Sequence, residues 1–230
     1  MIIILSHLLT DQINAQTFTE LRVGYTVNQL NQGFTSDTFE EKEASGGAYT
    51  GFTITHYFSD KLFLKYGGEW IEKSYTLRRA VPFNAVYKRL NNRYLQLPLN
   101  VGIVLTSYKK LQFAASTGFY AGYWLSSNVN GTIPNAFDTF NTQENGNVTA
   151  NFRVASYKAE NQIGTGEYRR FHIGSNFELK AIYTLNHNCR LTSTVGYQHA
   201  FTNQGKSAPS ANGFQADRTV VFSIGLMYKL

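Results

Sequence analysis

Arg218-Thr-Val-Val-Phe-Ser-Ile-Gly-Leu-Met-Tyr-Lys-Leu230 closes the chain. Val220, Phe222, Ile224, Leu226, Tyr228 and Leu230 fall on one face at period two. Thr219, Val221, Ser223, Gly225, Met227 and Lys229, smaller or more polar on the whole, fall on the other. A soluble domain rarely ends on such a strand, because its apolar face and its edge would both need covering. In a barrel set in a bilayer, lipid covers the face and the first strand pairs with the edge.

The same alternation recurs upstream. Candidate strands are Thr17–Asn28, Gly47–Ser59, Lys61–Leu77, Arg93–Leu105, Leu111–Leu125, Arg170–Thr184 and Arg190–Phe201, and the terminal stretch makes an eighth. The cleanest is the fourth, where Leu95, Leu97, Leu99, Val101, Ile103 and Leu105 share a face. Each segment reaches the roughly 9–11 residues that a tilted membrane-spanning strand needs. Pro98 lies inside the fourth, where a missing N–H interrupts a ladder, so a bulge or local irregularity is expected there.

Connector lengths point the same way. Those around Asp60, at Thr106–Lys110 and at Leu185–Asn188 are short; Gln29–Gly46, Arg78–Asn92, Ser126–Arg169 and Thr202–Asp217 are long. Strict alternation of long and short connectors is expected of an outer-membrane barrel with short periplasmic turns and long extracellular loops. The predicted fold is therefore all-β: an eight-stranded antiparallel up-and-down transmembrane β-barrel over residues 16–230. Its extracellular loop 126–169 contains Phe137, Phe140, Phe152, Val154 and Tyr157, which suggest strand extensions or a hairpin above the membrane.

Composition agrees. Of 230 residues, 15% are aromatic and only 16% charged, against about 25% charged in soluble domains. No run of about 18 apolar residues offers a spanning helix. Residues 1–15 read as a signal peptide with a truncated positive region, Ile13-Asn14-Ala15 standing where a peptidase cuts. Cys189 is the sole cysteine, so no intrachain disulfide forms.

Period-two parity sends Glu20, Arg22, Lys65, Glu69, Lys73, Glu178, Lys180 and Arg190 into the lumen. Eight strands leave an interior just wide enough for side chains to fill, so these charges are expected to pair into a polar core. Arg78, Arg79, Arg169 and Arg170 stand beside the long loops, placed either to meet phosphates of outer-leaflet lipid or to be solvated loop charges. Tyr57, Phe58, Tyr94, Tyr123, Trp124, Tyr183 and Tyr228 fit interfacial aromatic girdles, although Trp124 has inward parity and could cap the lumen. The net charge of +6 comes without the stacking groove that nucleic acid requires.

His172 and His199 lie toward the outer ends of their segments and Asp217 precedes the terminal one, but only His172 points inward. No spacing makes them a nucleophile, base and orienter, so the expectation is a protein that is not an enzyme. No cofactor fingerprint or metal-ligand spacing occurs, so neither a cofactor nor a metal is expected.

Tyr94-Leu-Gln-Leu-Pro-Leu99, Gly118-Phe-Tyr-Ala-Gly-Tyr123, Gly196-Tyr-Gln198 and the terminal Gly-x-x-aromatic-x-hydrophobic ending resemble the PorT-like, porin-family outer-membrane β-barrel proteins of Bacteroidetes-type bacteria. The likeness spans nearly all of residues 16–230 through short motifs. It implies an eight-stranded barrel, one member class being linked to protein secretion, and it makes Pro98 a family feature. Gly225, Tyr228 and Leu230 then look like the address read by the barrel-assembly machinery, with Leu230 in place of the usual final aromatic residue. The expected function is a small, monomeric outer-membrane barrel with a structural or interaction role at the cell surface. Its lumen is filled, and its partners are outer-membrane lipid, the assembly machinery and envelope proteins. The alternatives are a barrel component of a secretion or envelope-assembly system, a lipid-modifying outer-membrane enzyme, and a soluble lipocalin-like ligand binder.

Overall fold

A computed structural model of the chain describes residues 16–32, 40–79, 85–134, 154–160, 169–202 and 215–230. The predicted signal peptide and Phe137, Phe140 and Phe152 lie outside the described residues. Among the described residues nine strands form: β1 (Gln16–Gln32), β2 (Glu40–Tyr57), β3 (Leu62–Arg79), β4 (Tyr87–Tyr108), β5 (Leu111–Pro134), β6 (Val154–Glu160), β7 (Phe171–Thr184), β8 (Cys189–Ala200) and β9 (Gln215–Lys229). The wall runs β4-β3-β2-β1-β9-β8-β7-β5, and a β4–β5 ladder joins its two ends. Eight antiparallel strands thus close into a barrel, as the alternation predicts. β9 pairs with β1 from Phe18↔Lys229 to Gln32↔Gln215, so the terminal strand finds its edge partner in the first.

Burial alternates along the lipid-facing stretches of the wall strands, although Lys73–Thr76 of β3 are buried in succession. In β4, Leu95, Leu97, Leu99, Val101, Ile103 and Leu105 are exposed, whereas Tyr94, Gln96, Pro98, Asn100, Gly102 and Val104 are buried. The outward leucines cover ten residues of rise, about 34 Å along the strand. At a tilt of about 40° that becomes about 26 Å of height, matching the apolar band of an outer-membrane barrel. A lipocalin-like binder would carry this band inside. Here it faces outward from β1 (Leu21, Val23), β5 (Phe113, Phe119), β7 (Ile173, Phe177), β8 (Leu191, Val195) and β9 (Phe222, Ile224) alike.

Several expectations change in detail. The connector 126–169 is shorter than expected, because β5 continues to Pro134 and β6 pairs back onto it from Asn128↔Glu160 to Pro134↔Val154. This is the strand extension and hairpin that Val154 and Tyr157 suggest, and in the extension Val129 and Ile133 alternate with Asn128, Asn130 and Thr132. The other long connectors shorten similarly as β1, β3 and β4 rise above the lipid band. Pro98 makes the local irregularity expected of it, though not as a bulge. Its pairing with Tyr120 of β5 is intact, and the β3–β4 ladder keeps its register but skips Gly67 and Gly68, opposite Pro98 and Leu97. The absent N–H faces that gap. Gly67 is required there because a Cβ would come within 2.1 Å of the Phe52 carbonyl oxygen. The real register shifts lie at Arg93/Tyr94 and Val104/Thr106 in β4–β5, and at Ala44/Tyr49 in β2–β3. Tyr57, Tyr94 and Trp124 are not girdle residues, for all three are buried in the lumen. Phe58, Tyr123, Tyr183 and Tyr228 are exposed on the outer face. Asp217 lies within β9, buried, rather than ahead of it.

Candidate functional site: the filled lumen

Three storeys of side chains occupy the barrel. At the end carrying the short turns and Gln16, the buried side chains of Phe18, Tyr57, Phe63, Val104, Ala114, Ile182 and Met227 form an apolar floor. Phe18 meets Tyr57 edge-on at 5.7 Å between ring centres. Arg190 stands beside this floor, half-buried, with its guanidinium carbon 4.2 Å from the Phe18 ring centre. The structure gives Arg190 a ring contact rather than a place among the central charges.

The middle storey is ionic. One turn of side-chain alternation above Phe18, β1 sends in Glu20 and Arg22; β3 contributes Lys65 and Glu69, and β7 contributes Glu178 and Lys180. Arg22 Nη2 donates to Glu69 Oε1 at 2.6 Å, and Nη1 reaches Glu178 Oε1 at 3.4 Å. Lys65 Nζ pairs with Glu178 Oε2. Lys180 Nζ lies 2.7 Å from Glu20 Oε2, and the Thr192 hydroxyl donates to Glu20 Oε1 at 2.6 Å. Tyr49 OH donates to Glu69 Oε1 at 2.8 Å. The cations and carboxylates at this level balance, three against three. An isolated ion here would be very costly, so hydrogen bonds to its remaining lone pairs matter as much as its counter-charge. Gly225 of β9 makes room for the network, because a Cβ there would come within 2.8 Å of Arg22 Cγ. The space left beside Arg22, Glu69 and Glu178 is about 10 Å³, roughly one water molecule.

The upper storey is aromatic. Tyr94 and Trp124 stack at 5.5 Å and pack with Tyr49, Ile71 and Val221. Lys73 has no carboxylate within ion-pair distance among the described residues. Its ammonium sits 5.4 Å from the Tyr94 ring centre and 5.3 Å from that of Tyr120, a cation held between two aromatic faces. His172 turns its ring edge-on to Tyr94 at 4.7 Å and meets Gln96 Nε2 through its own Nε2 at 3.3 Å. Sequence reasoning missed this cage, although the parity of Tyr94 against Leu95 was the available signal.

The outer arginines scatter. Arg78 Nε donates to Glu43 Oε1 at 2.9 Å, and its guanidinium lies over Tyr87. Arg170 donates to Tyr123 OH at 3.2 Å. Arg79 and Arg169 are exposed. Tyr228 faces outward, and Leu230 N donates to Thr17 O at 2.9 Å, tying the chain's end to β1. Among the described residues no three His, Cys, Asp or Glu side chains gather as metal ligands.

A closed antiparallel barrel with an apolar outer band, a packed charged interior and unequal turns at its two ends defines a small outer-membrane β-barrel protein of the bacterial envelope. The sequence matches the family described as outer membrane protein beta-barrel domain over residues 14–204, and the chain belongs to that family. No curated protein matches it. Among solved structures it is similar to the outer membrane protein OprG from Pseudomonas aeruginosa, at 14% identity over 94% of this chain and 96% of that one, TM-score 0.49. It is also similar to Neisserial surface protein A, at 8% identity over 92% and 97% of the two chains, TM-score 0.42. The outer membrane protease OmpT from Escherichia coli is 8% identical over 96% and 99%, TM-score 0.54. Such identities speak for the fold alone.

The likeness to OmpT corrects one expectation. The lack of catalytic spacing sets the expectation of a protein that is not an enzyme, with a lipid-modifying enzyme kept as an alternative, yet OmpT, an outer membrane protease, has a similar fold. Fold and function separate here, since sites are grafted onto a fold by residues that a one-dimensional spacing test does not sample. The fold therefore does not exclude an enzyme.

Proposed function

We propose that the protein acts at the cell surface as a structural or interaction barrel, with its lumen closed to solutes. The Arg22–Glu69–Glu178–Lys65 network supports this reading, because it spans the interior where a conduit would need open width. The three cations and three carboxylates at that level leave no net charge to draw ions of one sign. Reconstituted in planar bilayers, the folded protein is expected to give no discrete conductance steps. Clear single-channel steps would refute a filled lumen.

A second reading makes the barrel a PorT-like component of a secretion or envelope-assembly system. Two of the motifs carrying that resemblance lie on adjacent strands and pair with each other, Leu95 with Tyr123 and Pro98 with Tyr120, which favours a shared wall feature over chance similarity. If it holds, cells lacking the chain lose secreted proteins from the medium, and an unchanged secreted profile would remove it. On either reading residues 1–15 are cleaved as a leader, and Gly225, Tyr228 and Leu230 serve barrel assembly. The folded chain is then a monomer, with Arg78, Arg79, Arg169 and Arg170 against lipid phosphates. The mass and sedimentation of membrane-extracted protein test the first and third of these. Insertion rate and lipid retention after substitution at the named residues test the others.

A further inference from the structure

The wall of β4, β5 and β6 carries a polar groove of about 480 Å³ on its outer surface, lined by Glu72, Asn91, Arg93, Asn128, Asn130, Lys158, Ala159 and Glu160. Registers build it. Asn91 of β4 pairs with Asn128 of β5, which pairs with Glu160 of β6; the next row up is Arg89, Asn130 and Lys158. Cross-strand partners share a face, so amides, two carboxylates and several cations line one surface. That surface continues the lipid-facing column of β4, Leu105 up to Leu95, beyond which Arg93, Asn91 and Arg89 follow at the same parity.

Height identifies the neighbour. At about 3.4 Å per residue and a tilt of about 40°, Arg93 lies about 5 Å above Leu95 and Asn91 about 10 Å above it. The polar layer on each side of a bilayer begins at the apolar boundary and is about 5–8 Å thick in an ordinary phospholipid leaflet. The groove therefore opens sideways into the outer-leaflet headgroups, and its upper row stands where a larger, sugar-bearing headgroup would reach.

Its chemistry fits such a headgroup. The contact of the Arg93 guanidinium among the described residues is a long one, Nε to Glu72 Oε1 at 3.8 Å, with the side chain nearly half exposed. Arg93 retains donors in a fork suited to phosphate. Lys158, two residues from the end of β6, adds a second cation. Asn91, Asn128 and Asn130 offer paired donors and acceptors for hydroxyls, and Asn130 Oδ1 is shielded from solvent without a hydrogen-bond partner. Glu160 and Glu72 accept further hydroxyls. We propose that this groove binds the phosphorylated saccharide headgroup of an outer-leaflet glycolipid, with Arg93 and Lys158 on phosphate and the asparagine rows on the sugar.

Detergent-folded protein is titrated with lipopolysaccharide, its dephosphorylated form, its deacylated headgroup and phosphatidylglycerol. Heat-modifiable gel mobility verifies the fold of every variant. Expected results are binding of lipopolysaccharide, loss of about tenfold or more in affinity on dephosphorylation, and a similar loss in R93A/K158A. N128A/N130A weakens binding of the glycolipid but leaves that of phosphatidylglycerol unchanged, and K110A at the opposite end has no effect. Unchanged affinity in R93A/K158A overturns the site. Phosphatidylglycerol binding as tightly as the glycolipid overturns saccharide recognition. A deacylated headgroup binding as tightly as the intact lipid overturns the membrane as the source.

Discussion

Glu178→Gln is expected to lower the unfolding free energy by about 3–5 kcal/mol, the usual cost of breaking a buried ion pair by removing one partner. Glu178 is the carboxylate that Lys65 pairs with and one of two that Arg22 reaches. The substitution keeps shape and volume but leaves the central level with three cations and two carboxylates, all deep in the wall. Arg22 retains Glu69 at 2.6 Å, so the excess charge falls chiefly on Lys65, which is fully buried. Urea unfolding in lipid vesicles reads the loss directly, and the folded gel band should disappear at a lower temperature. The double variant Lys65→Met with Glu178→Leu removes one charge of each sign and should recover most of the loss, since apolar replacement of a buried pair is often neutral or better. A Glu178→Gln protein unfolding at the wild-type urea concentration would show that the network contributes nothing to stability.

These residues also mark what the sequence discloses and what it hides. Period two is a geometric property of a strand, so Leu95 to Leu105 declared their outward face and Gln96, Asn100 and Lys65 their inward one without any tertiary knowledge. Alternating loop length carried the barrel topology for a similar reason: turns on one side of a membrane differ from loops on the other. Parity says which way Lys73 points but not what it meets. Its neighbours Tyr94 and Tyr120 come from β4 and β5, and their heights depend on strand stagger and on the β4–β5 shift at Arg93/Tyr94. A tyrosine near a segment end suits both the membrane interface and the lumen, and for Tyr94 the parity against Leu95 decides for the lumen. The outer groove was illegible for another reason. Val154 and Tyr157 suggest a hairpin above the membrane, but Lys158 and Glu160 face a mostly polar partner, Asn128–Pro134, so the sequence does not show which polar residues of the two segments stand side by side.

Tyr94→Ala is expected to cost about 3–5 kcal/mol as well, but by a different physical route and with a different functional signature. The ring is almost wholly buried, stacked on Trp124, edge-on to His172 and under the Lys73 ammonium. Truncation removes apolar contact, leaves a cavity that a rigid barrel wall cannot collapse, and strips one face from a cation that has no ion pair to fall back on among the described residues. Tyr94→Phe keeps the ring and should lose only about 0.5–1.5 kcal/mol, the net worth of a hydrogen bond, which separates packing from the hydroxyl. Destabilised though it is, Tyr94→Ala should still give no conductance. The upper storey and the ionic one lie in series, and the Arg22 level remains occupied whatever happens at Tyr94. Steps in planar bilayers from Tyr94→Ala alone would place the barrier in the aromatic storey and refute closure by the charges. Their appearance only when Arg22 and Glu69 are also replaced by alanine would locate it at the ionic level.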